Sequence, residues 1–278
     1  MNIARKFVHR ALTGCLLAAT ALPVLAQNGP ALVPLPSILD FTRGDGFGAA
    51  LGVGIEFENA YDGADETEFE AEPAGALQYR KGNHLFFWEG MELGWRGLVA
   101  DNLLVQAGVR NESGLEPDDS SDGNLDGIQQ RDSHVVGFLE ARRAFGADWR
   151  NWVGARLMGG PSDFGTLGVL AAGHRFGTQL DGTGTEIYAF LTFGTDQFID
   201  KDFGVTAADS LRSGLPRTSM EGGYRSTGVQ LVHRRDLTTN IHAIAQAGVE
   251  LYSGDIGESP IARQDYEFEL SLAVVWNF

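Results

Sequence analysis

The sequence predicts an all-β chain: a single antiparallel transmembrane β-barrel, counted at twelve strands with ten as the alternative, behind a cleaved signal peptide. Three observations carry this. Segment 266–278 alternates without a break, with Tyr266, Phe268, Leu270, Leu272, Val274, Trp276 and Phe278 on one face and Glu267, Glu269, Ser271, Ala273, Val275 and Asn277 on the other. That is the two-residue period of a strand, with aromatics at both ends of its apolar face and enough length to cross a bilayer core. Second, the amino terminus reads as a secretory leader. Third, no run after residue 26 approaches the ~20 apolar residues of a membrane helix, so any span has to be built from strands.

The leader is read from Arg5, Lys6 and Arg10, an apolar stretch over 11–25, and the small-residue site Val24-Leu25-Ala26 before Gln27. Cys15 is the only cysteine and lies in a lipoprotein-like box, Leu12-Thr13-Gly14-Cys15. Only Ala11 and Leu12 separate that box from the charged region, too little apolar core for lipoprotein processing. A chain cut after Ala26 then has no cysteine, which excludes disulfides, thiolate nucleophiles and zinc-finger chemistry. The 37 glycines and 17 phenylalanines favour strands and tight turns. Of 21 basic residues, losing the three in the leader leaves 18 against 37 acidic ones, a formal charge of −19. So acidic a surface does not attract nucleic acid.

Three regions follow: 1–26 as signal peptide, 27–45 as a proline-rich periplasmic lead-in, and 46–278 as the barrel. The first strand is expected over 47–57, with Phe47, Ala49, Leu51, Val53, Ile55 and Phe57 outward. An acidic loop over 61–66 leads to a second strand over 67–80, where Pro73 implies a bulge or an edge-like bend. Region 84–99 reads either as one bent strand or as two broken at Gly90; the split gives twelve strands. Asp101-Asn102 is a tight turn before a strand through Leu103, Val105, Ala107 and Val109, and 113–131 is a long polar loop. Further strands are expected over 133–144, 150–158, 167–180, 186–198, 222–235, 240–252 and 266–278. Short connections at 146–148, 181–184 and 236–239 alternate with long ones at 159–166, 199–221 and 253–265. Short turns on one rim and long loops on the other belong to a bacterial outer-membrane barrel, whose even strand count leaves both ends in the periplasm. The apolar content of 199–221 suggests that this loop folds into the barrel mouth.

Alternation places Glu56, Glu92, Arg96, Arg110, Arg156, Arg175, Glu250, Glu267 and Glu269 inside. In a small barrel, inward charges of both signs are expected to pair across the lumen and close it; an open, charge-selective channel is the alternative. Residues 122–127, Asp-Gly-Asn-Leu-Asp-Gly, imitate the first half of a calcium-binding hand. The twelfth position is Ser133, and no helices flank the loop, so a solvated surface turn is the better reading. His84, His134, His174, His233 and His242 are scattered, and none shares a local motif with a hydroxyl and a carboxylate or a metal-ligand spacing. The sequence therefore suggests no catalytic centre, cofactor or metal.

The chain resembles the MipA/OmpV family of outer-membrane proteins. The resemblance is carried by Tyr61-Asp62-Gly63-Ala64-Asp65 followed by Pro73, by Leu125-Asp126-Gly127, by Gly173-His174, and by Phe203-Gly204-Val205-Thr206 with Ser210 and Ser213-Gly214-Leu215. It continues through Gly254-Asp255 and Ser259-Pro260-Ile261 to Phe278. Asn59 and Ala60 depart from it, standing where a proline often precedes the tyrosine. The resemblance implies a scaffold joining a membrane-bound lytic transglycosylase to a bifunctional murein synthase, with a narrow porin-like channel or a surface adhesin as alternatives. A last strand ending on Phe278 also resembles the signal by which the barrel-assembly machinery recognises its substrates, with outer-membrane lipid as the surrounding medium.

Overall fold

The computed structural model describes residues 44–145, 149–176 and 183–278. The leader, nearly all of the lead-in, the turn at 146–148 and half of that at 181–184 lie outside the described residues. Twelve antiparallel strands close on themselves: β1 (Gly46–Asn59), β2 (Thr67–Lys81), β3 (His84–Glu89), β4 (Glu92–Ala100), β5 (Leu103–Glu112), β6 (His134–Phe145), β7 (Asn151–Gly159), β8 (Thr166–Phe176), β9 (Gly184–Gly194), β10 (Gly223–Asp236), β11 (Ile241–Tyr252) and β12 (Tyr266–Asn277). Each strand pairs with its sequence neighbours, and β12 pairs with β1 to complete the cylinder. Phe278 fastens this closure: its N–H donates to Ala49 O (3.0 Å) and the Ala49 N–H donates to its carbonyl (3.4 Å).

The break at Gly90 is real. Gly90 has φ +61, a turn conformation that glycine adopts without strain, and β3 and β4 form a separate short hairpin around it. Pro73 makes no bulge; the register runs through it, with Val53 opposite. β9 stops at Gly194, short of the expected 198, because Thr195 begins the turn into helix α1 (Asp196–Phe203). Helices α2 (Ala207–Ser213) and α3 (Gly254–Gly257) and a 3₁₀ turn at Pro117–Asp119 also lie in long loops. No described helix is long and apolar enough to cross a membrane.

Outward side chains are apolar and bare, among them Val53 (60 % exposed), Phe69 (64 %) and Val135 (64 %). At ~25 cal/mol per Å², such a surface is costly in water and suited to lipid. Aromatic pairs border it. Phe57 meets Phe268 (5.5 Å) and Phe193 meets Tyr224 (6.0 Å) towards the long loops; Phe47 meets Tyr79 (4.6 Å) and Trp276 meets Phe278 (5.2 Å) towards the short turns. Phe47 and Phe57 are separated along β1 by roughly 25 Å of height, given ~3.3 Å per residue and a tilt of about 40°, the height of an outer-membrane apolar band.

Candidate functional site

Side chains of the barrel meet across the lumen. A polar ladder runs across β2 to β7: Gln78 Nε2 donates to Glu89 Oε1 (2.7 Å), Arg96 Nη2 to Glu89 Oε2 (2.8 Å) and Arg96 Nε to Gln106 Oε1 (2.8 Å). Gln106 continues to Glu92 (3.3 Å), which also receives Arg156 from β7. Arg156 Nη1 stands 3.5 Å from Glu140 Oε2, and Arg142 Nε 2.5 Å from Glu140 Oε1. Arg110 lies 2.7 Å from Glu112 and 3.6 Å from Glu92. Rings cover these guanidinium groups: Phe87 under Arg96 (4.6 Å), Phe138 under Arg156 (4.2 Å) and Trp152 under Arg142 (4.9 Å). Those rings belong to one apolar cluster that also holds Tyr188, Phe190, Val232 and Tyr252 from the opposite wall.

The inward charges expected from the sequence thus fall into three groups. Arg96, Arg110 and Arg156 share the ladder. Arg175 stands apart, 4.0 Å from Glu186. Glu250, Glu267 and Glu269 line the other wall, where Gln230 donates to Glu269 (3.4 Å), the Tyr252 hydroxyl donates to Glu267, and Arg225 holds Glu250. Alternation could have found Glu140 and Arg142, on the inward period of β6. Arg225 was not accessible that way. A register shift between Tyr224 and Ser226 turns both Arg225 (2 % exposed) and Ser226 inward, the re-aiming that a β-bulge provides.

Arg225 is also where barrel and loops meet. Its Nη2 donates to Asp62 Oδ2 in the first loop (2.5 Å), and its guanidinium faces the rings of Phe198 (6.0 Å), Phe203 (5.8 Å) and Tyr252 (5.0 Å). Burial pushes the Asp62 carboxyl up to about 6; Asp202 and Glu250 add to the rise, and Arg225 opposes it.

Most of the motif residues meet in a cap over the long-loop rim. Asn124 Nδ2 donates to the Tyr61 hydroxyl (2.6 Å) and to Ile261 O (2.7 Å), joining three loops. Gly63, at φ +82, offers its carbonyl to Arg263 N (2.7 Å) and Gln264 N (3.1 Å). Gly127, at φ +79, packs so closely on α2 that a Cβ there would lie 2.7 Å from Ser213 N. Ser259 Oγ donates to Phe203 O (2.6 Å), half-buried Pro260 follows, and Arg131 Nη2 reaches Gly204 O (2.6 Å). Val205 exchanges hydrogen bonds with Thr218 (2.8 and 3.0 Å). Beneath, Tyr61, Leu115, Leu125, Ile128, Val205 and Ile261 form a small core. The loop over 199–221 does enter the mouth through Ile199, Phe203 and Met220, although Leu211 is left outside (89 % exposed). Of the remaining motif residues, Pro73 lies on β2 and Phe278 at the opposite rim.

The calcium-like loop is a turn closed on itself: Asp122 Oδ1 accepts from Asn124 N (2.8 Å) and Ser120 Oγ (2.7 Å). The histidines are dispersed, His84 with Trp95, His174 with Asn151, His233 with Thr185, and His242 with Asp236. His174 keeps regular register near the short-turn end of β8. Two concavities stand out. One, of about 690 Å³, lies beneath the cap across the outer part of the lumen, from Glu68, Glu70 and Arg110 on one side to Met158, Arg225 and Glu267 on the other. The second is a shallow groove at the short-turn rim formed by Asp45, Lys81, Asn83, His84, Phe86 and Trp95.

A family model described as MltA-interacting protein MipA matches residues 51–278. No curated protein sequence matches the chain. Among solved structures, it is similar to an outer membrane channel from Pseudomonas putida F1 at 12% identity, over 84% of this chain and 96% of that one, with a TM-score of 0.49. It is similar to the CymD monoaromatic hydrocarbon channel at 9% identity over 93% and 98% of the two chains (TM-score 0.46). The toluene transporter TbuX of Ralstonia pickettii is 9% identical over 85% and 90% (TM-score 0.41).

Proposed function

The chain belongs to the MltA-interacting protein MipA family and forms a closed barrel of the outer membrane, and from that premise we propose that it is an interaction scaffold for peptidoglycan-remodelling enzymes, a lytic transglycosylase and a murein synthase. The observation that carries this reading is the set of side chains that crosses the lumen below the cavity. With a salt-bridged ladder and an aromatic cluster occupying the interior, the rims are the surfaces on which the barrel can act. The short-turn rim faces the periplasm, where peptidoglycan lies. There the turn at Lys81, Gly82 and Asn83 stands beside Asp45, with the outward-facing Phe86 and Trp95 at its lipid border, and charged and polar groups of this kind form the rim of a protein interface. In the same reading, residues 1–26 are removed, 27–45 extend this surface, the outward faces meet lipid, and β12 is the strand offered to the barrel-assembly machinery.

Immobilised barrel in detergent is expected to retain a purified lytic transglycosylase, and Lys81→Ala is expected to weaken retention about threefold, the loss of one charge on the rim. Failure of the wild-type barrel to retain the transglycosylase would sink the proposal. A narrow solute channel is the second reading, favoured by the 690 Å³ cavity; steady conductance in planar bilayers would put it first.

A further inference from the structure

The barrel wall is not of even height. β3 and β4 turn back at Gly90 and Met91, where Gly90 N donates to Gly75 O (3.4 Å) and Asn111 N to Met91 O (3.1 Å). β2 therefore pairs with β3 only from Ala76 to Lys81, while its pairing with β1 continues to Thr67. Beyond Gly75, one edge of β2 faces a gap two strands wide. Gly75 lies opposite Leu51, near the middle of the apolar band, and Phe69 lies opposite Phe57 at its outer border. The gap thus sits in the outer half of the band, where an unpaired backbone group has no water to turn to.

Alternation tells which groups face it. The Gly75 carbonyl turns to β3, and along an antiparallel strand the hydrogen-bonding direction reverses at every residue. Phe69, Ala71 and Pro73 accordingly turn their backbone groups into the gap, and the even-numbered residues turn theirs to β1. Pro73 has no N–H to leave unmet, which explains a proline on this strand without a bulge. The N–H and C=O of Phe69 and Ala71 form a template for a further strand.

The side chains behind this edge are of one sign. Glu68 and Glu70 line the cavity below the cap, and neither has a hydrogen bond or ion pair among the described residues. The cations of the same cavity are engaged: Arg110 with Glu112 and Glu92, Arg225 with Asp62 and Glu250, Lys201 with Asp202, and Arg131 with carbonyls of α1 and Gly204. In front of the edge, Phe69 is exposed to the outside.

We infer that the gap is a docking site for a cationic amphipathic β-hairpin peptide, which completes the wall by pairing with the edge of β2 at Phe69 and Ala71. One strand of such a peptide continues the sheet and its second fills the remaining width towards β5. Its alternate Lys or Arg side chains meet Glu68 and Glu70 inside, and its apolar side chains join Phe69 outside. A second copy of this chain does not suit the site, because its own edge would bring carboxylates to carboxylates.

The test uses the full barrel in detergent micelles and a synthetic hairpin of about twelve residues that alternates lysine and valine around an Asn-Gly turn. The hairpin is expected to slow amide exchange at Phe69 and Ala71 and to bind more weakly as salt rises. Glu68→Gln with Glu70→Gln should weaken binding about tenfold, with an unchanged mobility difference between heated and unheated protein showing that the variant still folds. Equal binding of a composition-matched scrambled peptide, or no protection of the two amides, overturns the inference. Protection of Phe69 and Ala71 by lipopolysaccharide alone, or by self-association of the barrel, also overturns it and assigns the edge to lipid or to a second copy.

Discussion

Arg225 joins the cap to the barrel through contacts on four sides: Asp62, Glu250, the rings of α1, and Tyr252. Arg225→Leu keeps the volume but leaves Glu250 and Asp62 without their cation, and should destabilise this junction by about 3–5 kcal/mol, read as faster amide exchange in loops 60–66 and 195–222. Asp62 adds a pH dependence whose sign follows from its raised pKa. Between its ordinary value of 3.8 and about 6, the unfolded chain has released the proton that the folded chain keeps. The junction therefore loses stability as pH rises through that window and regains it on acidification, by ~2 kcal/mol. Asp62→Asn should abolish that slope in denaturant titrations at pH 4 and pH 7. Gly127→Ala combines positive φ with a backbone clash against Ser213, and should cost about 2–3 kcal/mol in the cap, detected as protease cleavage within 113–133. Little at this scale was legible beforehand. The inward charges could be named from parity, but a single extra residue in β10 reversed the parity at the one arginine that matters most to the cap.

Strands were the legible elements, because lipid outside and a packed lumen inside impose a strict two-residue period. Phe47 to Phe57 and Tyr266 to Phe278 are strands from their side chains alone, and Gly90 marked the split that brings the count to twelve. The end of β9 was not visible: Asp196 to Phe203 carries apolar residues on either period, and it is the burial of Phe198, Ile199 and Phe203 under the cap that makes it helical. The ladder across β2 to β7 behaves as one element. Arg156→Met leaves Glu92 to Gln106 and the more distant Arg110, and Glu140 to Arg142 alone, an expected loss of roughly 3–5 kcal/mol, whereas Arg156→Met with Glu92→Gln, which keeps Glu140 for Arg142, should recover part of it. Midpoints of unfolding in denaturant distinguish the two; equal losses would mean that the ladder carries no coupling between its members.

For the whole molecule, the expected outcome in planar bilayers is the absence of steady conductance. It should persist when 196–221 is replaced by a short Gly-Ser linker, since the members of the aromatic cluster carried by the strands, Phe87, Phe138, Trp152, Tyr188 and Phe190, and the ladder remain in place. Compartment and architecture could be read from the sequence, whereas the cap could not. Its defining contacts join Asn124 to Tyr61 and Ile261, and Ser259 to Phe203, residues far apart along the chain, and each of their loops taken singly looks like ordinary polar surface. A partner of the kind proposed is equally invisible, because a scaffold would be marked by shape at a rim and not by a constellation of reactive groups.

The interlocking of the loops decides where foreign sequence can be grafted. An epitope placed in 113–133 would pull Asn124 from both its neighbours and loosen segments on either side of the mouth. One inserted just after Gly214, where α2 has ended and a Cβ would meet open space, disturbs none of those joints. Display of a tag at the cell surface should therefore succeed there and fail within 113–133, at sites that look equally bare on the page.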